Sequence, residues 1–224
     1  MKKVLRKLEG EMEEKDVKEE LQEEKLVEEE KEEINEGEFL QIVLQEINNK
    51  TFHLIGSFDE DLLRRFKEFS SNLYFYNNDP NPTVDIHISS RGGQVDVLLA
   101  ILSEIETIKD MWDCKIHCHI DGYAFSAGAL LFLIASDERT MGKHSQMMLH
   151  EMSYGVNASI KDHKAELVYT EKLQKRIDNM IIKNTPITAK MLKKWYANGD
   201  TFFFKEDLEK LGVLTLEDEE NEKE

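Results

Sequence analysis

The sequence predicts an α/β fold in which repeated βαβ units build a mainly parallel sheet. Short segments that alternate apolar and polar residues are each followed by a segment with apolar residues at helical spacing, and glycines separate many of these segments. Hydrophobic residues make up 40% of the 224 residues, which is enough for one core of ordinary domain size.

The first predicted strand covers residues 51–56 and ends at its glycine, where the chain can turn. Ser57 or Asp59 is expected to cap the helix that follows, which continues to about Tyr74. A loop rich in asparagine and proline separates this helix from the next strand.

The second strand is predicted over residues 84–89, and the pair Gly92-Gly93 after it opens a helix. Apolar residues recur through that helix at helical spacing, at positions 95, 98, 99, 102, 105 and 108. A third strand is predicted over 114–120, after which Gly122 turns the chain into a strongly apolar helix.

A further core strand is expected over residues 146–150, followed by a long amphipathic helix over 162–182. Thr188 caps a shorter helix, which Gly199 closes. The last elements are an extended segment and a short helix, over residues 202–204 and 206–211.

Acidic residues are concentrated at the two ends of the chain. Of the formal net charge of −17, residues 1–38 carry −8 and residues 215–224 carry −5, so only −4 remains for residues 39–214. We expect an acidic, partly helical or disordered arm over 1–38, a folded domain over 39–214 and an acidic tail over 215–224. The arm is interpreted as a solvated tail, with a partner-binding arm or a removable pro-segment as alternatives.

Composition also excludes several classes of protein. A near-neutral core lacks the clustered Lys and Arg that bind phosphate backbones, so no nucleic-acid partner is expected. The longest apolar run, 127–135, has nine residues, against roughly 18 for a membrane span, and no secretory signal is visible. Two cysteines do not make a disulfide framework. The expectation is a soluble, cytoplasmic protein.

Ser126 is the first candidate for chemistry. It lies between a predicted strand and an apolar helix, within Gly122-Tyr-Ala-Phe-Ser126-Ala-Gly128. A serine at such a junction can be presented above the sheet at a helix N-terminus, and the small residues after it leave room for a substrate backbone. The plainer interpretation is an ordinary helix cap.

Two further polar residues follow predicted core elements. His150 ends an apolar strand 24 residues after Ser126, at the kind of strand end where open α/β sheets build their sites. Asp200 comes 50 residues later, between Gly199 and an extended segment. The plainer interpretations are a structurally hydrogen-bonded histidine and a turn aspartate.

The pair Gly92-Gly93 lies between a strand and a helix, where two glycines permit positive φ and close backbone approach. A backbone N–H freed there can stabilise an oxyanion. The plainer interpretation is a tight turn, and no phosphate-binding glycine motif is present.

Taken together, these features resemble the proteolytic subunit of the Clp (caseinolytic) protease over about residues 50–214. The matching segments are Ser90-Arg-Gly-Gly93, Ser126-Ala-Gly-Ala129, Met148-Leu-His-Glu151 and Asp200-Thr-Phe202 before a final helix. The resemblance implies a crotonase-like fold in which the long helix protrudes from the domain. Arg91 replaces the proline of the family, and Asn198-Gly199 replaces a charged pair that the family uses between stacked rings.

The resemblance also implies roles for individual residues. Ser126 would be the nucleophile, His150 the general base and Asp200 the acid that orients the imidazole. The backbone N–H groups of Gly93 and Ala127 would form the oxyanion hole. The reaction would be acyl transfer to serine followed by hydrolysis of a peptide bond.

By the same resemblance, the chain would act as a homo-oligomer in a heptameric ring on peptides or unfolded proteins. An ATPase unfoldase would be its partner, and no cofactor or metal is expected. Alternatives are a virus-encoded capsid-maturation protease of the same fold and an inactive ring-forming scaffold.

Two other classes fit the sequence less well. An α/β-hydrolase needs the order Ser, Asp/Glu, His, but the last histidine, His163, follows Ser126 by only 37 residues. A zinc site at Cys114 and Cys118, with His117 and His119, would need two strand positions about 13 Å apart to share one ion. Buried strand cysteines are the better interpretation.

Overall fold

The structure is a computed structural model that describes residues 50–76, 83–153, 155 and 159–215. The predicted acidic arm over 1–38 lies outside the described residues, as does all of the predicted tail except Thr215. The predicted boundaries of these two segments therefore stay predictions.

Six strands form one mixed sheet, and helices follow most of the strands, which confirms the predicted α/β class with a mainly parallel sheet. The strand order is β1-β2-β3-β5-β6, and β4 pairs with β3 beside this path. All pairs are parallel except β5 with β6, which is antiparallel. The strands are β1 (Thr51–Phe58), β2 (Thr83–Gly93), β3 (Lys115–Phe125), β4 (Glu138–Met141), β5 (Gln146–Leu149) and β6 (Thr201–Phe204).

Six helices are described: α1 (Glu60–Tyr76), α2 (Val95–Trp112), α3 (Ala127–Ala135), α4 (Ile160–Asn184), α5 (Ala189–Ala197) and α6 (Lys205–Lys210). All nine residues of α3 are buried, so this helix is the centre of the core. Of the two predicted caps of α1, Asp59 is the one used, since its Oδ1 accepts from the Leu62 N–H at 3.0 Å. The core consists of alternate strand residues packed against these helices.

Three predicted strand ends are wrong. β1 continues past Gly56 to Phe58, β2 includes the pair Gly92-Gly93, and β3 continues past Gly122 to Phe125. Each of these glycines has positive φ and belongs to a strand, at or near an irregularity of the ladder or a change of partner strand. Gly56 and Gly122 let their strands bend and continue, whereas Gly92-Gly93 form the end of β2.

Strand β4 was not predicted, because its sequence Glu-Arg-Thr-Met lacks an apolar pattern. Its Arg139 is buried, and burial lowers the pKa of the guanidinium. The side chain donates to the backbone carbonyl oxygens of Phe132, Leu133, Ser136 and Asn184. Arg139 therefore joins the end of α3 to the end of α4.

The long helix α4 is two residues longer at each end than predicted. Residues 160–169 are almost all exposed, whereas Ile177 and Ile181 are fully buried. The N-terminal half thus extends away from the core, in keeping with the expectation of a protruding helix.

Within the described ranges, no helix is long and apolar enough to cross a membrane. Both cysteines are free and buried, as expected. Burial raises the pKa of the Cys118 thiol to about 12, so this sulfur stays protonated near neutral pH.

Candidate active site

Ser126 lies between the end of β3 and the start of α3, in a backbone conformation that L-residues rarely adopt. Its φ is 52° and its ψ is −120°. A non-glycine residue in such a region costs of order 1–3 kcal/mol and persists only where the surroundings hold it. The Ser126 N–H donates to the Met148 carbonyl oxygen at 3.0 Å, which ties the junction to β5.

The serine side chain does not cap the helix. Ser126 makes no side-chain hydrogen bond to the first turn of α3, so the interpretation as an ordinary helix cap is wrong. Its Oγ instead lies 2.8 Å from Nε2 of His150. The strained junction therefore directs the hydroxyl toward an imidazole.

His150 follows directly after β5, which is the strand that pairs with the end of β3. Parallel strands in register end at the same edge of the sheet, and this brings residue 150 beside residue 126. His150 is half-buried. The sheet register thus brings together two residues separated by 24 positions in sequence.

The second nitrogen of His150 fixes the tautomer of the ring. Nδ1 lies 2.7 Å from the carbonyl oxygen of Glu151. Because a carbonyl oxygen only accepts, Nδ1 carries the proton, and in the neutral ring Nε2 is the acceptor. The Ser126 O–H consequently donates to Nε2, which is the arrangement that a general base needs.

Asp200 does not make the expected hydrogen bond in this structure. Among the described residues the partner of His150 Nδ1 is the Glu151 carbonyl, and Asp200 is exposed. The register nevertheless brings Asp200 near, since its neighbour Thr201 is paired with Leu149, the residue before His150. The role of Asp200 as the acid stays a prediction.

The glycine pair at the end of β2 lies against the serine. A Cβ on Gly92 would lie 2.7 Å from Cβ of Ser126 and 2.9 Å from the backbone nitrogen of Ala127. A Cβ on Gly93 would instead lie 2.5 Å from the carbonyl oxygen of Phe58 in β1. Gly92 is therefore the glycine that contacts Ser126 directly, and the predicted oxyanion roles of Gly93 and Ala127 stay predictions.

Ser90 holds this glycine segment in place, a role that the sequence analysis did not assign. Its buried hydroxyl donates to the Gly56 carbonyl oxygen at 2.6 Å and accepts from the Gly92 N–H at 3.1 Å. The Ser90 side chain thereby links the irregular positions of β1 and β2. The neighbouring Arg91 places its guanidinium 5.4 Å from the centre of the Tyr123 ring.

A polar network supports the segment after His150. Gln174 of α4 accepts from the Met152 N–H at 2.7 Å and donates to Asp178. Tyr196 of α5 donates to the same carboxylate at 2.9 Å. Burial and the Asp178 carboxylate raise the pKa of Tyr196, which keeps it a donor. Two helices therefore fix the backbone that carries the Glu151 carbonyl.

The structure also reveals a row of histidines that sequence reasoning missed. His53, His87 and His119 are partners in register across β1, β2 and β3. The signal was present, because a histidine occupies a polar position of each predicted strand, but the register between strands is not visible in a linear pattern. We call His53, His87 and His119 the histidine row.

His117 lies beside the histidine row and has a polar partner at each ring nitrogen. Its Nδ1 lies 2.7 Å from Asp85 and its Nε2 lies 2.7 Å from Thr140. The hydrogen bond to Asp85 raises the pKa of His117, whereas burial lowers that of His119. The Thr140 hydroxyl oxygen also lies 2.7 Å from Nδ1 of His119, so this one hydroxyl contacts both rings.

The sequence is similar to that of known proteins. The family model described as Clp protease matches residues 36–215. The ATP-dependent Clp protease proteolytic subunit 2 of Chlamydia trachomatis serovar D is 27% identical over 133 residues, and the protein of that name from Chlamydia muridarum is 29% identical over 133. Each match covers 59% of this chain and 62% of the relative, so the chain spans about three fifths of their length.

Proposed function

Since the chain belongs to the Clp protease family, we propose that it is a serine endopeptidase with Ser126 as nucleophile and His150 as general base. The observation that carries this proposal is the 2.8 Å contact between Ser126 Oγ and Nε2 of the tautomerically fixed His150. A hydroxyl is a weak nucleophile until an adjacent base takes its proton, and this contact supplies that base.

In the proposed reaction, Ser126 Oγ attacks the peptide carbonyl carbon as its proton passes to Nε2 of His150. The N–H groups of Gly93 and Ala127 stabilise the oxyanion, assisted by the positive end of the buried α3. His150 then gives its proton to the leaving amine. Water, activated by the same imidazole, hydrolyses the acyl-enzyme and regenerates the serine.

Asp200 is proposed as the group that stabilises the imidazolium. Its support is the resemblance and the ladder of β5 and β6, which ends one residue short of His150 and Asp200. A carboxylate at Nδ1 stabilises the positive ring more strongly than a backbone carbonyl does. In the proposed active state the Asp200 carboxylate replaces the Glu151 carbonyl oxygen.

The test is hydrolysis of a short fluorogenic peptide by the full chain. Ser126→Ala and His150→Ala should each lower kcat at least about 10⁴-fold, and the double variant should lose little more, because the residues act as a unit. Glu171→Gln, an exposed change on α4, is the control for general damage. Full activity in Ser126→Ala would refute the proposal.

One observation favours the alternative of an inactive ring-forming scaffold. Among the described residues, no carboxylate is hydrogen-bonded to His150. The same assay separates the two functions, since a scaffold would leave the peptide uncleaved in the unaltered chain as well as in the variants.

Assembly into a homo-oligomer is part of the proposal. Ile160, Leu167 and Val168 share one face of α4, and their side chains are 78%, 44% and 50% exposed. An apolar stripe on a protruding helix fits a second copy of this chain, as the resemblance to a ring protease implies. Val168→Glu should reduce the mass in solution and the peptidase activity together. A fully active monomer would contradict this.

The proposal also includes an ATPase unfoldase as a partner of this chain. The relatives carry the words ATP-dependent in their names, and for this chain the partnership is inferred from them. An unfoldase of the Clp class with ATP should accelerate degradation of a folded protein but not of a short peptide. Equal rates of folded-protein degradation with and without the ATPase would refute the partnership and leave the proposed peptidase activity unaffected.

The acidic arm is proposed to be dispensable for peptide hydrolysis. A chain beginning at Phe39 should cleave small peptides about as well as the full chain, with any difference confined to large substrates or partners. Loss of folding or of peptidase activity in the shortened chain would show that the domain boundary at residue 39 is wrong.

A further inference from the structure

The histidine row crosses three adjacent strands on one face of the sheet. Ring centres of His53 and His87 are 5.1 Å apart, and those of His87 and His119 are 5.3 Å apart. These spacings match the distance between neighbouring strands, so the rings stand side by side. The alternate residues of the same strands, among them Leu54, Ile86 and Cys118, are fully buried on the opposite face.

One carboxylate lies among these rings. Asp121 Oδ2 is 2.6 Å from Nδ1 of His87, and Oδ1 is 3.2 Å from Nε2 of His119. The Asp121 side chain is 49% exposed and that of His87 32%, so an ion from solvent can reach both. One ligand atom from each of His53, His87 and Asp121 lies within 4.8 Å of the other two.

We propose that His53, His87 and Asp121 form a binding site for a divalent transition-metal ion, with Zn²⁺ as the best match and water as the fourth ligand. Two imidazoles and one carboxylate with an open position are a common three-residue zinc set. Mg²⁺ and Ca²⁺ prefer all-oxygen sites and fit two nitrogen donors poorly.

The geometry requires only small side-chain movement. Bonds of about 2.1 Å in a tetrahedron place ligand atoms about 3.4 Å apart, which is closer than the limit of 4.8 Å that the three atoms meet here. Rotation of the three side chains about χ1 and χ2 supplies the difference, because His53, His87 and Asp121 do not belong to the buried core.

His119 acts as a positioning residue in this site. Its Nε2 lies 3.2 Å from Oδ1 of Asp121 and its Nδ1 lies 2.7 Å from Oγ1 of Thr140, so the ring lies between the carboxylate and that hydroxyl. A polar group beside a ligating carboxylate helps to orient it, which is a usual feature of metal sites. His117 is held apart, because Asp85 and Thr140 occupy both of its nitrogens.

The proposed metal site is separate from the proposed catalytic residues. Asp121 precedes Ser126 by five residues of β3 and its end, which corresponds to about 16 Å of strand. The ion would join β1, β2 and β3 and thereby stabilise the folded chain. Failure of either proposal leaves the other intact.

The test is a Zn²⁺ titration of the full chain after EDTA treatment and buffer exchange. Millimolar Mg²⁺ is added to occupy sites made of carboxylates alone, so that they do not contribute to the measured Zn²⁺ binding. The unaltered chain should bind one Zn²⁺ and unfold at a higher temperature with it. His53→Gln and His87→Gln should each weaken binding at least about tenfold and abolish the thermal shift.

His163→Gln is the matched control, since it alters an exposed histidine of α4 outside the site and should retain affinity within about twofold. Asp121→Asn provides an independent variant if one histidine change disturbs folding, and circular dichroism checks each chain. Co²⁺ should give the visible spectrum of a tetrahedral site only when both histidines are present. Three results would each overturn the proposal. They are unchanged Zn²⁺ affinity in His53→Gln and His87→Gln, loss of binding in His150→Gln, and no Zn²⁺ bound by the unaltered chain.

Discussion

His150 and the histidine row are held by the same sheet in two different ways. The ring of His150 has unlike partners, a backbone carbonyl oxygen at Nδ1 and a serine hydroxyl at Nε2. The rings of His87 and His119 share one carboxylate instead. The first arrangement leaves one nitrogen ready to take a proton, and the second suits a shared cation. The comparison teaches that the partners of an imidazole, more than its presence in a strand, decide its chemistry.

The largest effect is expected when the proposed partner of His150, Asp200, is changed. Asp200→Asn should lower kcat about 10³–10⁴-fold, because an amide cannot stabilise the imidazolium as a carboxylate does. Asp110→Asn, on the exposed side of α2, is the control. Peptide hydrolysis at saturating substrate measures the effect.

If Asp200→Asn keeps activity within about tenfold of the unaltered chain, the Glu151 carbonyl is sufficient as the partner of Nδ1. The working unit would then be a serine and histidine pair. The resemblance to a three-residue catalytic unit would fail at Asp200, and the roles proposed for Ser126 and His150 would remain.

A second prediction separates contact with Ser126 from backbone strain. Gly92 and Gly56 both have positive φ, at 93° and 102°, but only Gly92 has neighbours that a Cβ would strike. Both Gly→Ala changes should destabilise the fold by about 1–3 kcal/mol through strain. Gly92→Ala should also lower kcat/KM about a hundredfold, because it displaces Ser126.

Denaturant unfolding and peptide hydrolysis of the two glycine variants measure these effects side by side. If Gly56→Ala and Gly92→Ala lose equal activity, backbone strain alone explains the loss in both variants. The direct contact of Gly92 with the serine would then have no catalytic consequence.

The smallest expected effect concerns His117, which lies beside the histidine row. The Asp85 hydrogen bond raises the pKa of His117 above its usual value in unfolded chains. The stabilisation is therefore fully present below about pH 6.5 and is lost as pH rises through the raised value. The free energy of unfolding, measured with EDTA, should differ between the unaltered chain and Asp85→Asn more at pH 5.5 than at pH 8.5. An equal difference at the two pH values would contradict this assignment.

Most of the fold could be predicted because local patterns specify it. The alternation over residues 84–89 predicted strand β2, and its apolar residues Val84, Ile86 and Ile88 are buried in the structure. Strand β4 could not be predicted, because its stability depends on the carbonyl groups around Arg139, which come from α3 and the end of α4. The strand ends were wrong because a glycine inside a bent strand looks like a stop in sequence.

The proposed site could be predicted only in part, for a similar reason. Segments around Ser126 and His150 carry recognisable motifs, and the two side chains meet as expected. The Glu151 carbonyl was missed because a backbone oxygen leaves no signal in sequence. The histidine row was missed because it requires the register of three strands at once.

The most direct test of the central claim is covalent labelling with a fluorophosphonate, read by mass spectrometry. An activated serine attacks this reagent, whereas an ordinary serine does not. The account predicts one adduct on Ser126 in the unaltered chain, no adduct in Ser126→Ala, and labelling slowed by orders of magnitude in His150→Ala but unchanged in His87→Gln. An adduct on another serine, no adduct in the unaltered chain, or equal labelling rates with and without His150 would contradict it.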